Sequence, residues 1–375
     1  MRIVQLANFY SPTSGGLGTM LRSLAQGYTN AGHEVVRVVP GPTDKEWHDG
    51  TATVIEIGAP LLGSTGYRMI RSTSTAERVL RSLKPAAIEL SDKATLVGPA
   101  FAQRPNGTRV VLISHERLDA ILRPRLPKQV PLERMADWWN RRLERRVDAI
   151  VCASAFAAEE FDRIGSSRVH RIPLGIDLDT FRPSPLARTA ADGTIRLSLV
   201  SRLSREKCPE LAVETVRTLV ERGVSVRLDI AGDGPLLPEL TALAAGLPVH
   251  FHGHLGSRAD MVRLLQRTDV TLATCGVETF GLAALESMAC GTPVVAAHGG
   301  GLPELIAPGT GEVAAPNGIA FAEAVLRMVA NDRQANARAA RRQAELFPCH
   351  ATVTGMLRLM AGAPSVEVPV GVLAR

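Results

Sequence analysis

Short runs of β-branched and aliphatic residues alternate along this chain with stretches whose apolar residues recur every three or four positions. Runs at residues 3–7, 34–39, 54–57, 86–90, 109–113, 149–152 and 169–172 predict strands. Residues 17–31 predict an amphipathic helix, and helical patterns lie between most of the later runs. After residue 193 the same order begins again, with strands at 195–201, 225–231, 249–251, 270–273 and 294–296. Helices fit at 208–222, 235–245, 259–266, 280–289 and 318–330. Alternating strands and helices argue for parallel sheets covered on both faces. No sequence repeat is visible; only the element order repeats.

The stretch between the halves carries Pro173, Gly175, Pro183 and Pro185, which suits a linker. The expected organisation is α/β: two Rossmann-like domains facing across a cleft, residues 1–175 and 194–345, with 176–193 as linker. Residues 346–375 hold a last helix, near 351–360, expected to cross back onto the first domain, and a tail. In such sheets ligands bind beyond the carboxyl ends of the strands.

The length of 375 residues suits two domains, and 45% apolar with 21% charged residues is globular composition, which excludes a disordered chain. Apolar stretches fall far short of the roughly 20 residues of a membrane span. The first ten residues hold one basic residue and no long apolar run, unlike a signal peptide. Five widely spaced cysteines without a CxxC pair read as free thiols in a reducing cytosol. Charge is uneven: residues 1–185 hold 25 Lys+Arg against 19 Asp+Glu, while 186–375 hold 18 of each. The first half therefore suits an anionic partner, such as a phosphorylated acceptor or a membrane surface.

Candidate chemistry clusters at strand ends. Glu278-Thr-Phe280-Gly281-Leu282-Ala-Ala-Leu-Glu286 opens a helix whose free N–H groups favour an anion. Two acids beside an anion site make sense as acceptors for sugar hydroxyls, although singly they read as a helix-start acid and a surface acid. Arg202 and Lys207 lie between a strand and a helix, where cations oppose the dipole unless an anion sits between. Gly15-Gly16-Leu-Gly18, after Ser14, permits close approach to a phosphate or sugar, but Leu21 stands where a dinucleotide fingerprint needs glycine. His115 ends a strand and precedes a loop with Arg123, Pro124, Arg125, Pro127 and Lys128.

Residues 131–147 read as a basic helix with Leu132, Met135, Trp139, Leu143 and Val147 on one face and Trp138 off it. Arg68, Arg71, Arg78, Arg81 and Lys84 flank another basic amphipathic helix, which could lie on anionic lipid. Gly232-Asp-Gly-Pro235 reads as a turn, and Gly299–Gly301 as a flexible loop.

Taken in order, these residues resemble a retaining GT-B glycosyltransferase of family 4, over residues 1 to about 330. The most specific stretch runs from Glu278 through Ala-Cys290-Gly-Thr-Pro-Val-Val295, and the next is Arg202 with Lys207. The resemblance implies that Arg202 and Lys207 bind the diphosphate of a nucleotide-sugar donor. It implies that Glu278 contacts donor sugar hydroxyls, Phe280, Gly281 and Leu282 lend backbone amides, and Glu286 binds the ribose. Gly16 would lie against the donor phosphate, His115 would hydrogen-bond the transferred sugar, and the stretch up to His254 would flank the base, whose identity stays open.

Asn8-Phe-Tyr10, Ser14-Gly15-Gly-Leu and Ser114-His-Glu-Arg-Leu-Asp119 resemble actinobacterial GDP-mannose-dependent glycolipid mannosyltransferases. Asn8, Tyr10, Gly15 and Asp92 are acceptor-side candidates, and no metal or other cofactor is expected. The implied partners are a nucleotide-sugar donor and a lipid or small-molecule acceptor, without nucleic acid. The implied location is cytoplasmic, with reversible contact at the inner face of the plasma membrane. Cys275 departs from the small polar residues common at its position. The rivals are a nucleotide-sugar epimerase of the same fold, which needs no acceptor, and a silent nucleotide-sugar-binding protein.

Overall fold

The structure is a computed structural model that describes residues 1–10, 15–63, 66–123, 126–127, 129–184 and 193–363. Ser14, Pro124, Arg125, Lys128, Pro185 and the tail 364–375 lie outside the described residues. The described chain divides into two compact units, residues 1–174 with 349–363, and residues 175–348.

The first unit is built on eight strands: β1 (Arg2–Leu6), β2 (Glu34–Gly41), β3 (Lys45–His48), β4 (Thr53–Gly58), β5 (Ala87–Leu90), β6 (Arg109–Ser114), β7 (Ala149–Cys152) and β8 (Val169–Arg171). Their order is β3-β4-β2-β1-β5-β6-β7-β8, all parallel except the antiparallel edge strand β3. Its helices are α1 (Gly16–Asn30), α2 (Thr73–Leu83), α3 (Val97–Phe101), α4 (Leu118–Leu122), α5 (Leu132–Glu144) and α6 (Ala155–Asp162). Central strands β5 and β7 are buried along their whole length, because helices cover both faces. That is why they read as short continuous apolar runs.

The second unit has six parallel strands: β9 (Ile195–Val200), β10 (Val226–Ala231), β11 (Val249–Gly253), β12 (Val270–Ala273), β13 (Val294–Ala297) and β14 (Gly311–Ala314). Their order is β11-β10-β9-β12-β13-β14. Its helices are α7 (Glu210–Glu221), α8 (Leu237–Leu243), α9 (Arg258–Arg267), α10 (Leu282–Ala289), α11 (Gly318–Ala330) and α12 (Arg333–Ala344). Residues 178–181 are tied down: the Arg341 guanidinium donates to the carbonyls of Leu178, Phe181 and Ala289. The last helix, α13 (Cys349–Met360), returns to the first unit and packs on α1, where the Val353 side chain fills the space beside Gly27.

Three elements differ from the pattern-based expectation. β3 is exposed along its whole length, so no apolar alternation marks it. α12 carries four arginines and buries only Asn336, Ala340 and Ala344; Asp332 caps its start by accepting from the amides of Gln334 and Ala335. On α5 the buried stripe is Leu132, Ala136, Asn140 and Leu143, which leaves Met135 exposed rather than on the core face. Trp138 is 55% exposed.

The first unit also buries a polar row under α1. Arg37, Gln5 and Glu89 are cross-strand neighbours on β2, β1 and β5, all fully buried. Arg37 Nε donates to Gln5 Oε1 (3.0 Å), Gln5 Nε2 to Glu89 Oε1 (3.0 Å), and the Tyr28 hydroxyl to Glu89 Oε2 (2.6 Å). Burial pushes the Glu89 carboxyl up to about 7, against the pull of its hydrogen bonds and Arg37. The folded state therefore holds this proton in a pH range where the unfolded chain has lost it. Stability from this group is present below the unfolded value and declines as pH rises toward 7. Glu89→Gln removes the titration, so its stability relative to wild type is expected to improve by about 1.4 kcal/mol per pH unit between pH 5 and 7. Denaturant melts at several pH values check this; parallel pH dependence in the two proteins would contradict it.

Candidate active site

In the second unit the strand order reverses between β9 and β12. Loops leaving the carboxyl ends of two such strands diverge and leave a crevice, the usual ligand position in an open α/β sheet. Arg202 and Lys207 lie on the loop after β9, and Glu278 on the loop after β12. The fold thus joins residues 71 positions apart: Lys207 Nζ donates to Glu278 Oε2 at 2.6 Å. The two side chains are 28% and 27% exposed, shielded enough for the pair to matter yet open to a ligand.

The β12 loop grips the β9 loop directly. Thr274 Oγ1 donates to the Lys207 carbonyl at 2.7 Å, and the Cys275 thiol to the Glu206 carbonyl at 3.0 Å. Burial pushes the Cys275 thiol up to about 11, so it is a donor and not a nucleophile. Burial alone would pull the Lys207 ammonium down, but Glu278 outweighs it and the net shift is upward. Lys207 therefore stays charged at any working pH. Cys208, next in the chain, adopts φ 46° between Lys207 and Pro209. A non-glycine residue there costs about 1–2 kcal/mol, and the bend turns the chain into α7.

Glycines hold both loops in place. Gly232 has φ +144°, and a Cβ on it would lie 1.8 Å from the Ser201 carbonyl oxygen. A Cβ on Gly234 would lie 2.3 Å from the Leu203 oxygen, and the Leu203 amide donates to Asp233 O at 3.0 Å. The segment 232–234 is therefore the platform on which the Arg202 loop rests, a closer role than the turn expected from sequence. On the other side, a Cβ on Gly300 would lie 2.7 Å from the Glu278 carbonyl oxygen, which accepts from the Gly301 amide at 2.6 Å. Residues 299–301, expected as a flexible loop, pack against the backbone that carries Glu278.

Gly281 starts α10 with φ 100°. Phe280 is buried edge-on against Phe347 with ring centroids 5.9 Å apart, so its ring serves packing while its amide lies at the helix entrance. Leu282 is the first helical residue. Glu286, in the second turn, is half-buried, and burial pushes its carboxyl up to about 7 against the pull of Arg258. His254 is exposed, just past the end of β11. His252 on that strand is engaged by Asp229 at 2.8 Å.

In the first unit His115 follows β6 and is half-buried. Burial, reinforced by Lys93, lowers its pKa to about 4, so the imidazole is neutral at physiological pH. Lys93 is itself buried and paired with Glu160 on α6, and Asn140 on α5 donates to Glu160 Oε2 at 3.1 Å. This cluster beside His115 was not evident in the sequence, because its members come from three separate segments. Asn8 and Asp92 meet on the Thr95 hydroxyl, Asn8 also accepts from the Ile70 amide at 2.9 Å, and Asp92 accepts from the Ala94 and Thr95 amides. Both brace the loops after β1 and β5, and Tyr10, two residues after Asn8, is buried. Gly15 and Gly16 are exposed, and a Cβ on either would meet no described atom within 4 Å, so packing does not demand glycine there.

Two α/β units, each built on a largely parallel sheet, with a cation–carboxylate pair at the switch point of the second, define a two-domain α/β protein with a loop-built candidate ligand site. Residues 14–180 match the model described as Glycosyltransferase Family 4, and residues 194–331 match Glycosyl transferases group 1. The chain is 40% identical to the GDP-mannose-dependent alpha-(1-6)-phosphatidylinositol dimannoside mannosyltransferase of Mycobacterium tuberculosis (strain ATCC 25177 / H37Ra), covering 99% of this chain and 98% of that protein. Among solved structures it is similar to sucrose-phosphate synthase from Thermosynechococcus elongatus, with TM-score 0.79, 19% identity and coverage of 96% and 98%. It is also similar to Anabaena HepE in complex with UDP-glucose, with TM-score 0.74, 19% identity and coverage of 96% and 100%. The chain belongs to glycosyltransferase family 4, has the GT-B fold, and is a hexosyltransferase.

Proposed function

We propose that the protein transfers mannose from GDP-mannose, with retention at the anomeric carbon, to a phosphatidylinositol-based glycolipid. The observation that carries the reading is the Lys207–Glu278 pair, a permanent cation and a carboxylate set side by side by glycine-packed loops. The choice of sugar, nucleotide and acceptor follows the printed activity of the 40%-identical relative.

In this reading Lys207 and Arg202 face the donor diphosphate and the first amides of α10 add to them. The acceptor hydroxyl attacks the anomeric carbon on the face the diphosphate leaves. The bond from that carbon to the diphosphate oxygen breaks, its electron pair stays with the diphosphate, and the hydroxyl proton passes to a diphosphate oxygen. Charge grows on the leaving group, so fixed cations lower the barrier more than they tighten ground-state binding. The cations do this without a metal. Glu278 accepts from sugar hydroxyls, each charge-assisted bond contributing about 1.5–3 kcal/mol. Neutral His115 bonds the transferred sugar without adding a charge near the reacting carbon, and Gly16 lets the chain approach the donor phosphate.

Among the described residues no helix is long and apolar enough to cross a membrane. The reading places the protein in the cytoplasm, meeting its lipid at the membrane's inner face through reversible contact.

Glu286, in the ribose role, accepts two hydroxyls only when ionised. With its carboxyl at about 7, donor KM is expected to rise as pH falls below 7, by up to about tenfold per unit. Glu286→Gln is expected to bind donor more weakly and without that pH dependence; an unchanged pH profile in the variant would contradict the role. The function itself is tested by offering GDP-, UDP- and ADP-sugars with a lipid extract and reading products by mass spectrometry. Hexosylated phosphatidylinositol glycolipid from GDP-mannose is expected; an epimerised donor without acceptor product would favour the epimerase.

A further inference from the structure

The turn that carries His115 rests on a buried charge cluster. Lys93, on the loop after β5, and Glu160 on α6 form an ion pair, and both side chains are buried. Asn140 on α5 donates to Glu160 Oε2 at 3.1 Å, and the Trp139 indole donates to the Lys93 carbonyl at 2.9 Å. Lys93 Nζ also donates to Ser114 Oγ at 3.3 Å. That hydroxyl lies 3.4 Å from Glu160 Oε1 and 3.5 Å from the Glu116 carbonyl oxygen. One hydroxyl thus links both chain neighbours of His115 to the pair.

Stability alone is a weak reason for such a pair, since apolar groups of similar volume often serve as well or better. Its placement gives it a second effect. Burial is the larger cause that holds the His115 imidazole neutral, and the Lys93 ammonium adds to it. The other ionisable groups at this end of the sheet are engaged elsewhere or uncharged. Arg117 is paired with Asp119 and Glu159, and Asp92 is bound by Thr95 and by two amides. Glu116, next to His115 in the chain, is exposed. Burial pushes the Cys152 thiol on β7 up to about 12, so it carries no charge.

We propose that Lys93 and Glu160 are positioning residues for His115: through Ser114 they pin the turn that carries the imidazole, and they set a fixed positive charge beside the ring. Glu160 makes that charge tolerable in the interior, and Asn140 and Trp139 fix where it stands. The consequence is an imidazole that meets the transferred sugar uncharged well below neutral pH. An imidazolium there would oppose the positive charge that grows on the anomeric carbon as the diphosphate leaves. For its effect on turnover the proposal rests on the sugar-contacting role of His115 in the function reading.

The test uses the full chain and three variants. Lys93→Met/Glu160→Gln removes both charges at nearly constant volume, Lys93→Arg keeps the cation, and Ser114→Ala cuts the link to the turn. The His115 ring is titrated by NMR, its signal assigned by its loss in His115→Gln. The midpoint is expected to rise by about one pH unit in the double variant and to stay as in wild type in the other two. The acid limb of kcat, measured at saturating GDP-mannose so that donor KM does not enter, should move up with it. Ser114→Ala should lower kcat about tenfold at every pH, with donor KM unchanged. An unmoved midpoint in the folded double variant, or a moved midpoint with an unmoved kcat limb, would overturn the proposal. If the double variant does not fold, Ser114→Ala decides: wild-type kcat there would overturn the pinning of the turn. The titration needs no turnover. If it shifts as stated while wild type transfers no sugar from GDP-mannose, the function reading fails and the hold of the pair on His115 stands.

Discussion

Lys207→Ala is expected to lower kcat/KM for the donor by a hundredfold to a thousandfold, about 2.7–4 kcal/mol. Two effects combine. The variant loses the fixed charge that faces the diphosphate, and it leaves Glu278 without the ammonium that lies 2.6 Å from it. An unpaired carboxylate beside an incoming diphosphate repels it. Lys207→Arg keeps the charge, but a planar fork cannot replace the ammonium in the same space, so partial rescue is expected. The acceptor KM should hardly change. Steady-state kinetics in both substrates check this, and an equal rise in both KM values would contradict a donor-side role.

The second large effect comes from a residue with no side chain. Gly232→Ala would put a methyl group 1.8 Å from the Ser201 carbonyl oxygen, at a φ of +144° that side chains avoid. Neither atom belongs to a flexible side chain, so the backbone carrying Arg202 must move. Overpacking and backbone strain together cost about 2–4 kcal/mol, and Tm is expected to fall by about 5 °C or more. Because the displaced segment holds Arg202, kcat/KM should fall by at least about tenfold even at temperatures where the variant is fully folded. Gly15→Ala is the control: its φ is −61° and no described atom lies within 4 Å of the added methyl, so its melting temperature should be unchanged. Full activity in folded Gly232→Ala would show that the Arg202 loop does not depend on this platform.

These effects explain why the sequence was legible in some places and silent in others. Strands buried on both faces, such as β7, declare themselves as apolar runs, whereas the Glu278–Glu286 stretch, whose spacing alone fits an ordinary helix start, stands out through the family resemblance. What stayed hidden was contact between distant segments. Gly232 reads locally as a turn, and only the fold brings it under Ser201. Glu160 sits in an ordinary helix and becomes notable only when Lys93 arrives from 67 residues away. Asn8 reads as an acceptor-side group through the family resemblance, and Asp92 through its place at a strand end. In the structure they bond to Thr95 and to the backbone of neighbouring loops, and so shape the place rather than stand free in it. Met135 shows the limit of periodicity, since a stripe of four residues can be rotated by a polar member, here Asn140, that turns inward to reach Glu160.

The central claim is that the loops after β9 and β12 hold the donor's diphosphate. A crystal structure of the full chain with GDP bound tests it most directly. Both phosphates are expected within hydrogen-bond distance of Lys207 Nζ, the Arg202 guanidinium and the first amides of α10. A diphosphate that bound elsewhere, touching neither cation, would contradict the account.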